Sequence, residues 1–279
     1  MIRLIGRGLG RLTPLWVHRL GALFGWLLFS VLRIRRRVTL QNIQAALGLR
    51  RAARVLLARK VYAHLCTGAL ELFRASALQR REAERMLGRS GLALLRRHLA
   101  KGRGLLVLSA HVGQWDLLAC AAARCGLKVN VVTREIKTGW LNRVWMEERA
   151  ACGVRLLPAR GSARAIVAAL RRNEVVALVL DQHEPGGAVV PFLGRPAATG
   201  TALARLARAT GAPVVPVFLL REGLGFRLVV EEPLKVERGD DVVEVTAAFN
   251  HVIEAQVLET PEQWLWLHRR WKVAAPQHP

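Results

Sequence analysis

A histidine and an aspartate, His111 and Asp116, stand five residues apart in the stretch S-A-H-V-G-Q-W-D-L-L, directly after an apolar run. A neutral imidazole can accept a proton, and a carboxylate beside it fixes the ring tautomer and stabilises the imidazolium that forms. Such a pair acts as a general base and contributes about 10²–10⁴ in rate. These two residues are therefore the first candidates for chemistry.

The spacing restricts the local structure that can bring the pair together. Five residues in one helix separate two side chains by about 140°, so His111 and Asp116 cannot face each other within a single helix. They can meet only if His111 lies in a turn after a strand and Asp116 lies in the first helical turn. Gly113 provides the permissive backbone for that turn. Two alternatives need no catalysis: a structural histidine at a strand end, and an acid favoured by the helix dipole.

Other polar residues follow predicted strands at what would be the same edge of a sheet. Arg134 ends V-N-V-V-T-R, and Asp181 and Gln182 end V-V-A-L-V-L-D-Q. Ligands of open α/β sheets bind at the carboxyl ends of the strands, so these side chains are candidates for the same site as His111. Ser109 is a minor candidate nucleophile, because no G-x-S-x-G elbow is present. A solvated Arg134 and a turn-capping Asp181 are the alternatives.

Alternating apolar runs and helical periods begin near Gly102, after a helical first third of the chain. They predict an α/β fold with a mixed, largely parallel central sheet flanked by helices. The predicted strands are Leu105–Ser109, Val129–Thr133, Val154–Leu157, Val175–Leu180, Val214–Leu220 and Phe226–Val230. The predicted helices are Trp115–Arg124, Leu141–Cys152, Ala163–Arg172, Ala202–Thr210 and Val242–Leu258.

The net charge of +23, from 43 basic and 20 acidic side chains in 279 residues, predicts an anionic partner. Thirteen Lys or Arg residues precede the first acidic residue, Glu71. Among them lies an uncharged apolar stretch, Leu20–Leu32, followed by Arg33–Arg37. The stretch is short for a bilayer span, which needs roughly 20 residues. We interpret it as an uncleaved N-terminal helical membrane anchor, monotopic or single-pass; the alternative is a helix that packs on its own domain.

The predicted organisation is an N-terminal membrane-associated helix and basic flank over residues 1–40 and a second domain over 41–279. The latter is divided into a helical lead-in (41–100), an α/β core (101–258) and a C-terminal Trp/Arg helix (259–272). That helix would place Trp264, Leu267, His268 and Trp271 on one face, suited either to a headgroup interface or to core packing. The four cysteines show no metal-site spacing and predict reduced thiols in a cytosolic domain.

These segments together resemble the lipid A late acyltransferases, the lauroyl/myristoyl branch of the lysophospholipid acyltransferase superfamily. The resemblance runs nearly end to end, and Asn42 in R-R-R-V-T-L-Q-N occupies a family position. The H-x-x-x-x-[DE] motif at His111 is weak alone. It gains specificity from the segments that accompany it, which are V-V-T-R, V-L-D-Q-H, V-P-F-L-G-R-P-A-A-T-G-T, A-P-V-V-P-V-F and P-E-Q-W-L-W-L-H-R-R-W-K.

The resemblance implies a glycerolipid acyltransferase-like fold and transfer of a fatty acyl chain from acyl carrier protein thioester to a hydroxyl of a lipid A precursor. His111 would be the general base and Asp116 the residue that orients it. Arg134, Asp181 and Gln182 would bind substrate, with Arg134 steadying an oxyanion or a phosphate. No metal and no cofactor are expected beside the acyl carrier protein co-substrate. The expected location is the cytoplasmic face of the cell inner membrane.

Two features leave the acceptor open. The motif carries Asp116 where many lipid A members carry Glu, and the chain is short for the family, so a lysophospholipid, aminolipid or glycolipid is the alternative acceptor. A basic nucleic-acid-binding protein is disfavoured, because aromatic residues make up 6% of the chain and no recognition motif is present. A catalytically inactive membrane scaffold is the remaining alternative.

Overall fold

The computed structural model describes residues 13–133 and 139–272. Within these residues, five α-helices precede the first strand, and further helices separate most of the strands that follow. We number the helices of the described residues in chain order. They are α1 (Pro14–Trp26), α2 (Arg36–Leu47), α3 (Arg51–Leu72), α4 (Arg80–Leu87), α5 (Arg89–Leu99), α6 (Trp115–Arg124), α7 (Gly139–Ala151), α8 (Ala163–Arg171), α9 (Ala202–Thr210) and α10 (Val242–Glu259).

The strands of the described residues are β1 (Leu105–Ser109), β2 (Val129–Thr133), β3 (Arg155–Pro158), β4 (Val175–Val179), β5 (Ala188–Phe192), β6 (Arg195–Thr199), β7 (Val214–Glu222) and β8 (Gly225–Val230). Six of them form the central sheet, in the order β3-β2-β4-β1-β7-β8. All neighbouring pairs in this sheet are parallel except β7 and β8, which form an antiparallel hairpin at one edge. A separate hairpin, β5 with β6, lies outside this sheet.

The mixed, largely parallel sheet flanked by helices confirms the predicted fold class. The central strand β1 is buried along its whole length, as its continuous apolar sequence indicates for a strand covered on both faces. Each predicted strand and helix of the core is present, with ends shifted by at most a few residues. The β5–β6 hairpin was not anticipated, because its sequence A-V-V-P-F-L-G-R-P-A-A-T contains a proline in each strand.

The predicted C-terminal Trp/Arg helix is wrong. Helix α10 ends at Glu259, a single 3₁₀ turn covers Pro261–Gln263, and no helix covers the rest of the segment up to Lys272. Trp264, Trp266 and Arg270 are buried, so the core-packing alternative is correct. After the 3₁₀ turn, Trp264 pairs with Val112 and the chain continues in turns, with the N–H of His268 donating to the carbonyl of Leu265 at 3.2 Å. The division into domains remains a prediction.

Helix α1 packs against its own domain. Val17, Gly21, Gly25 and Phe29 form a buried stripe at a spacing of four residues, which is one face of a helix. A Cβ added at Gly21 would lie 2.0 Å from Oγ1 of Thr67 on α3. Small residues therefore let the two helix backbones approach closely. Residues 14–31 are also the one stretch of the described chain long and apolar enough to cross a membrane.

Candidate active site

His111 lies in the turn between β1 and α6, as its spacing from Asp116 requires. The turn depends on Gly113, whose φ is +65° and whose added Cβ would lie 2.2 Å from the carbonyl oxygen of Leu219. The backbone N–H of Gln114 donates to that same carbonyl at 2.8 Å, and the N–H of Leu265 donates to the carbonyl of His111 at 3.1 Å. Backbone contacts from two other segments thus fix the position of the histidine.

Asp181, at the end of β4, is the carboxylate that holds His111. Its Oδ1 accepts a hydrogen bond from Nδ1 of the imidazole at 2.8 Å. Its Oδ2 accepts from the backbone N–H of His111 at 3.0 Å and from the indole N–H of Trp264 at 2.8 Å. Because Nδ1 donates to Asp181, the neutral ring keeps its lone pair on Nε2. This arrangement is that of a general base oriented by a carboxylate.

The charges around the pair favour a protonated His111 beside an ionised Asp181. Burial lowers the pKa of His111, but the charge and hydrogen bond of Asp181, together with the charge of Asp116, outweigh burial and raise the pKa above 6.5. For Asp181, burial raises the pKa, but the charge of His111 and three hydrogen bonds lower it to about 2. The neighbouring His268 is different, because burial lowers its pKa to about 4. The pKa values of these two histidines are therefore shifted in opposite directions.

Asp116 does not hydrogen-bond His111, contrary to the predicted pairing. It lies in the first turn of α6 as expected, but its oxygens accept from Nε and Nη2 of Arg149 at 2.8 and 2.5 Å and from the indole N–H of Trp145 at 2.9 Å. Trp145 and Arg149 both belong to α7, and the position of α7 relative to α6 cannot be predicted from the spacing of residues along the chain. The charge of Asp116 still acts on the imidazole of His111.

The remaining predicted site residues have different outcomes. The side-chain nitrogen of Gln182 lies 3.3 Å from Nε2 of His111. The hydroxyl of Ser109 donates to the carbonyl of Val217 at 2.9 Å and is buried, so the structure does not support Ser109 as a nucleophile. Arg134 lies outside the described residues, and its role remains a prediction.

An apolar cavity of about 660 Å³ opens at His111 and extends beneath it between the sheet and α6. Its floor is far from the histidine, because Val175 at the start of β4 lines it and pairs with Leu105, six positions before His111. At about 3.3 Å per strand residue, the cavity is roughly 20 Å long. Its apolar lining includes Leu95, Val107, Ala122, Val131, Val175 and Ala177.

A family model described as bacterial lipid A biosynthesis acyltransferase matches residues 3–273. The chain belongs to this family. Three curated relatives show how far the similarity extends. A phosphatidylinositol mannoside acyltransferase of Mycobacterium tuberculosis (strain ATCC 25618 / H37Rv) is 28% identical over 208 residues, covering 72% of this chain and 66% of that protein. The lipid A biosynthesis palmitoleoyltransferase of Escherichia coli (strain K12) is 28% identical over 188 residues, covering 65% and 60%.

The third relative, the lipid A biosynthesis lauroyltransferase of Escherichia coli (strain K12), is 27% identical over 264 residues, covering 92% of this chain and 85% of that protein. The family resemblance seen in the motifs is therefore confirmed. The chain nevertheless spans slightly less than two thirds of the mycobacterial relative and of the palmitoleoyltransferase.

Three site residues of this family member escaped the sequence analysis. Trp145 and Arg149 come from a helix whose sequence, W-L-N-R-V-W-M-E-E-R, has no motif that points to the site. Trp264 stood in a recognised motif, but the helical interpretation placed its side chain either at a headgroup interface or in the core and gave it no contact with Asp181. The run W-L-W-L is apolar at every position, so its pattern does not reveal that contact.

Proposed function

We propose that this protein transfers a fatty acyl chain from an acyl carrier protein thioester to a hydroxyl group of a membrane lipid. One observation carries the proposal: Nε2 of His111, the basic nitrogen of a ring that Asp181 orients, stands at the mouth of an apolar cavity about 20 Å long. A polar base at the end of a long apolar cavity suits a reaction centre attached to an alkyl chain. The family membership supports acyl transfer as the reaction.

The proposed reaction needs one base and no covalent enzyme intermediate. The acceptor hydroxyl replaces Gln182 next to Nε2, which takes the hydroxyl proton as the oxygen attacks the thioester carbonyl. The C–S bond then breaks, the ester forms, and the imidazolium returns its proton to the leaving thiolate. Asp181 stabilises the imidazolium during this step, because its carboxylate remains ionised and bound to Nδ1.

The start of α6 supplies positive electrostatic potential where the oxyanion develops. This helix end has no side-chain cap, and its first residues, Trp115 and Asp116, line the cavity. The first N–H groups of a helix have no intrahelical partner and can therefore donate to an oxyanion. Arg149 also lines the cavity, and its ion pair with Asp116 orients its guanidinium. Arg134 is a further candidate for the same role.

The cavity length is matched to a fatty acyl donor. An extended carbon chain with bonds of about 1.5 Å and angles near 111° advances roughly 1.25 Å per bond. A cavity of roughly 20 Å thus accommodates about 16 bonds. The charge of +23 suits an acidic carrier protein as the donor, and the same charge suits phosphate groups on an acceptor lipid.

Lipid A precursor is the proposed acceptor, and a glycolipid is the second candidate. The lipid A transferases among the relatives support the first, and one of them is similar over 92% of this chain. The similarity to a phosphatidylinositol mannoside acyltransferase supports the second. Both acceptors offer a hydroxyl group on a membrane lipid, so the chemistry at His111 is the same for either.

Contact with the membrane is proposed for the outer face of α1. The helix packs antiparallel to α3 through Gly21 and Gly25, so the domain holds one face of α1 and leaves the other exposed. We therefore place α1 in the plane of the lipid headgroups. On its other side α3 lines the cavity with His64 and Gly68, which places the site next to the lipid.

Exposed side chains at this face have the composition of a lipid contact. Trp16, Phe24 and Trp26 of α1 are each more than 40% exposed, and basic residues follow the helix. Arg33 and Arg35 both adopt a φ of +52°, which lies in the left-handed region that favours glycine. An arginine at these two positions is therefore conformationally less favourable than a glycine. Cytoplasmic leaflets are anionic, which matches this charge.

Replacing the three exposed aromatic residues of α1 with serine should weaken flotation with anionic vesicles without unfolding the protein. The matched control replaces Leu224, Val243 and Leu258, which are equally exposed elsewhere on the described surface. If flotation with the vesicles weakened equally in both variants, or in neither of them, α1 would not be the lipid contact.

Mass spectrometry of lipid extracts tests the proposed function. Cells that express the protein should contain a lipid heavier by one acyl substituent than cells that lack it, and cells with the His111→Ala variant should resemble the latter. A mass change in lipid A would identify the first acceptor, and a change in a glycolipid the second. Identical lipid profiles in all three strains, with the protein expressed, would contradict acyl transfer.

A further inference from the structure

The C-terminal segment after α10 lies across both strand ends that form the site. Val112 and Trp264 form an antiparallel bridge, and the N–H of Gly113 donates to the carbonyl of Gln263 at 3.1 Å. On the other side, the N–H of His183 donates to Nε2 of His268 at 2.9 Å. The segment therefore connects the turn that carries His111 to the loop that carries Asp181.

Trp264 is the side chain of this segment that contacts the carboxylate directly. Its indole N–H donates to Oδ2 of Asp181, and the ring is 1% exposed, so no water replaces this donor. Trp266 packs edge to face against it, with the ring centroids 4.6 Å apart. The hydrogen bond from the indole occupies Oδ2, which leaves Oδ1 for the imidazole of His111.

Arg270 holds the backbone next to Asp181 from the same segment. Its guanidinium is fully buried and donates to the carbonyl of Gln182 at 3.0 Å, to the carbonyl of Ala198 at 2.6 Å and to the hydroxyl of Thr199 at 2.5 Å. These acceptors are all neutral, so burial lowers the pKa of Arg270 to about 10, against the opposing effect of the charge of Asp181. A buried cation without a carboxylate ligand costs stability.

Asn42 on α2 fixes the middle of the segment. Its side-chain amide donates to the carbonyls of Trp266 and His268 at 2.8 and 2.7 Å. Asn42 therefore connects the N-terminal helical region to the C-terminal segment, whose Trp264 binds the Asp181 carboxylate. The N-terminal helices, the C-terminal segment and the turn of His111 thus all contribute to the position of the Asp181 side chain.

We propose that Trp264 is a positioning residue for the reaction, which fixes the Asp181 carboxylate on Nδ1 of His111, and that Arg270 fixes the loop behind it. The inference rests on the proposed function, in which His111 is the base. Without the indole donor, the carboxylate loses one of its three hydrogen bonds and becomes more basic. It then holds the imidazolium more tightly, and the pKa of His111 rises further.

The test compares two variants that each remove a buried indole N–H. Trp264→Phe removes the donor to Asp181, whereas Trp266→Phe removes a donor to the carbonyl of Pro261, at 2.7 Å, within the same segment. Incorporating benzothienylalanine at position 264 keeps the size of the ring and removes only the N–H. It thus separates the hydrogen bond from the packing if Trp264→Phe fails to fold.

The first measurement is the pKa of His111 by NMR on ¹⁵N-histidine-labelled protein in detergent, which needs no substrate. We expect both position-264 variants to raise this pKa by about one unit and Trp266→Phe to leave it unchanged. A pKa that stays in place or falls in the position-264 variants would overturn the inference. So would an equal shift in Trp266→Phe.

The second measurement is the pH profile of kcat and KM for acyl transfer from acyl carrier protein thioester to a lipid extract. We expect the position-264 variants to lower kcat about 10- to 100-fold with KM unchanged and to move the acid limb to higher pH. An unmoved limb would overturn the inference. Failure of the proposed function is distinguishable, because the wild-type protein would then show no transfer while the NMR result at His111 would still stand.

Discussion

The length of the cavity predicts which donor chains the protein accepts and how one substitution changes that preference. Ala177 lines the cavity on β4 and pairs with Val107, four positions before His111. At about 3.3 Å per residue, a large side chain there closes the cavity roughly 13 Å below the base. About ten carbon–carbon bonds then fit, compared with about 16 in the wild-type cavity.

The substitution Ala177→Phe should therefore reverse the donor preference. Each methylene that stays in water forfeits about 0.8 kcal/mol of burial. Five excluded methylenes of a 16-carbon donor would then cost about 4 kcal/mol, or nearly a thousandfold in kcat/KM. A 10-carbon donor should be transferred at close to the wild-type rate, and this donor is the internal control for an intact fold and base.

The assay measures kcat/KM for 10-, 12-, 14- and 16-carbon carrier-protein thioesters. Leu95→Ala is the reciprocal variant, because Leu95 lines the cavity and its truncation enlarges the space for a longer chain. Leu92→Ala is its matched control, since Leu92 is buried on the same helix but does not line the cavity. If Ala177→Phe lowered kcat/KM equally for all chain lengths, the cavity would not hold the donor chain.

Three further predictions concern the base and its surroundings. Asp181→Asn should lower kcat about 10³–10⁴-fold, because an amide that donates toward Nδ1 moves the proton of His111 to Nε2; less than tenfold loss in a steady-state assay would contradict this role. Arg149→Lys should lower kcat/KM about 10- to 100-fold, because an ammonium cannot reproduce the paired contacts of the guanidinium with Asp116. Wild-type kinetics in this variant would show that these contacts are dispensable. The rate should rise with pH through a single pKa above 6.5, as His111 loses its proton. Asp181 should add no second acid limb, because its pKa is held at about 2. A pH-independent rate between pH 5 and 9 would exclude His111 as the titrating base.

The core of the fold was predictable from sequence because its signals are local. The run L-L-V-L-S of β1 is continuously apolar, and Ala202–Thr210 has a helical period that ends at a glycine, so both elements were placed correctly. The turn at Gly113 followed from the spacing of the motif alone. The β5–β6 hairpin was missed because its prolines are unusual in strands.

The partners of the site residues could not be predicted in the same way. His111 and Asp181 are 70 residues apart, and the local spacing favoured Asp116 as the partner of the imidazole. The packing of α7 on α6 brings Arg149 to Asp116, and Asp181 binds His111 instead. The C-terminal segment was predicted as a helix because Trp264 and Trp271 fit a helical spacing, whereas the chain there forms turns.

The central claim is that His111 acts as the base for acyl transfer to a lipid. The most direct measurement is the transfer of a radiolabelled acyl group from its carrier-protein thioester to a membrane lipid extract by the purified protein. Wild-type protein should form a labelled lipid ester, and His111→Ala should lower the rate about 10²–10⁴-fold while retaining the wild-type circular dichroism spectrum. A His111→Ala variant that forms the same ester within tenfold of the wild-type rate would contradict the claim.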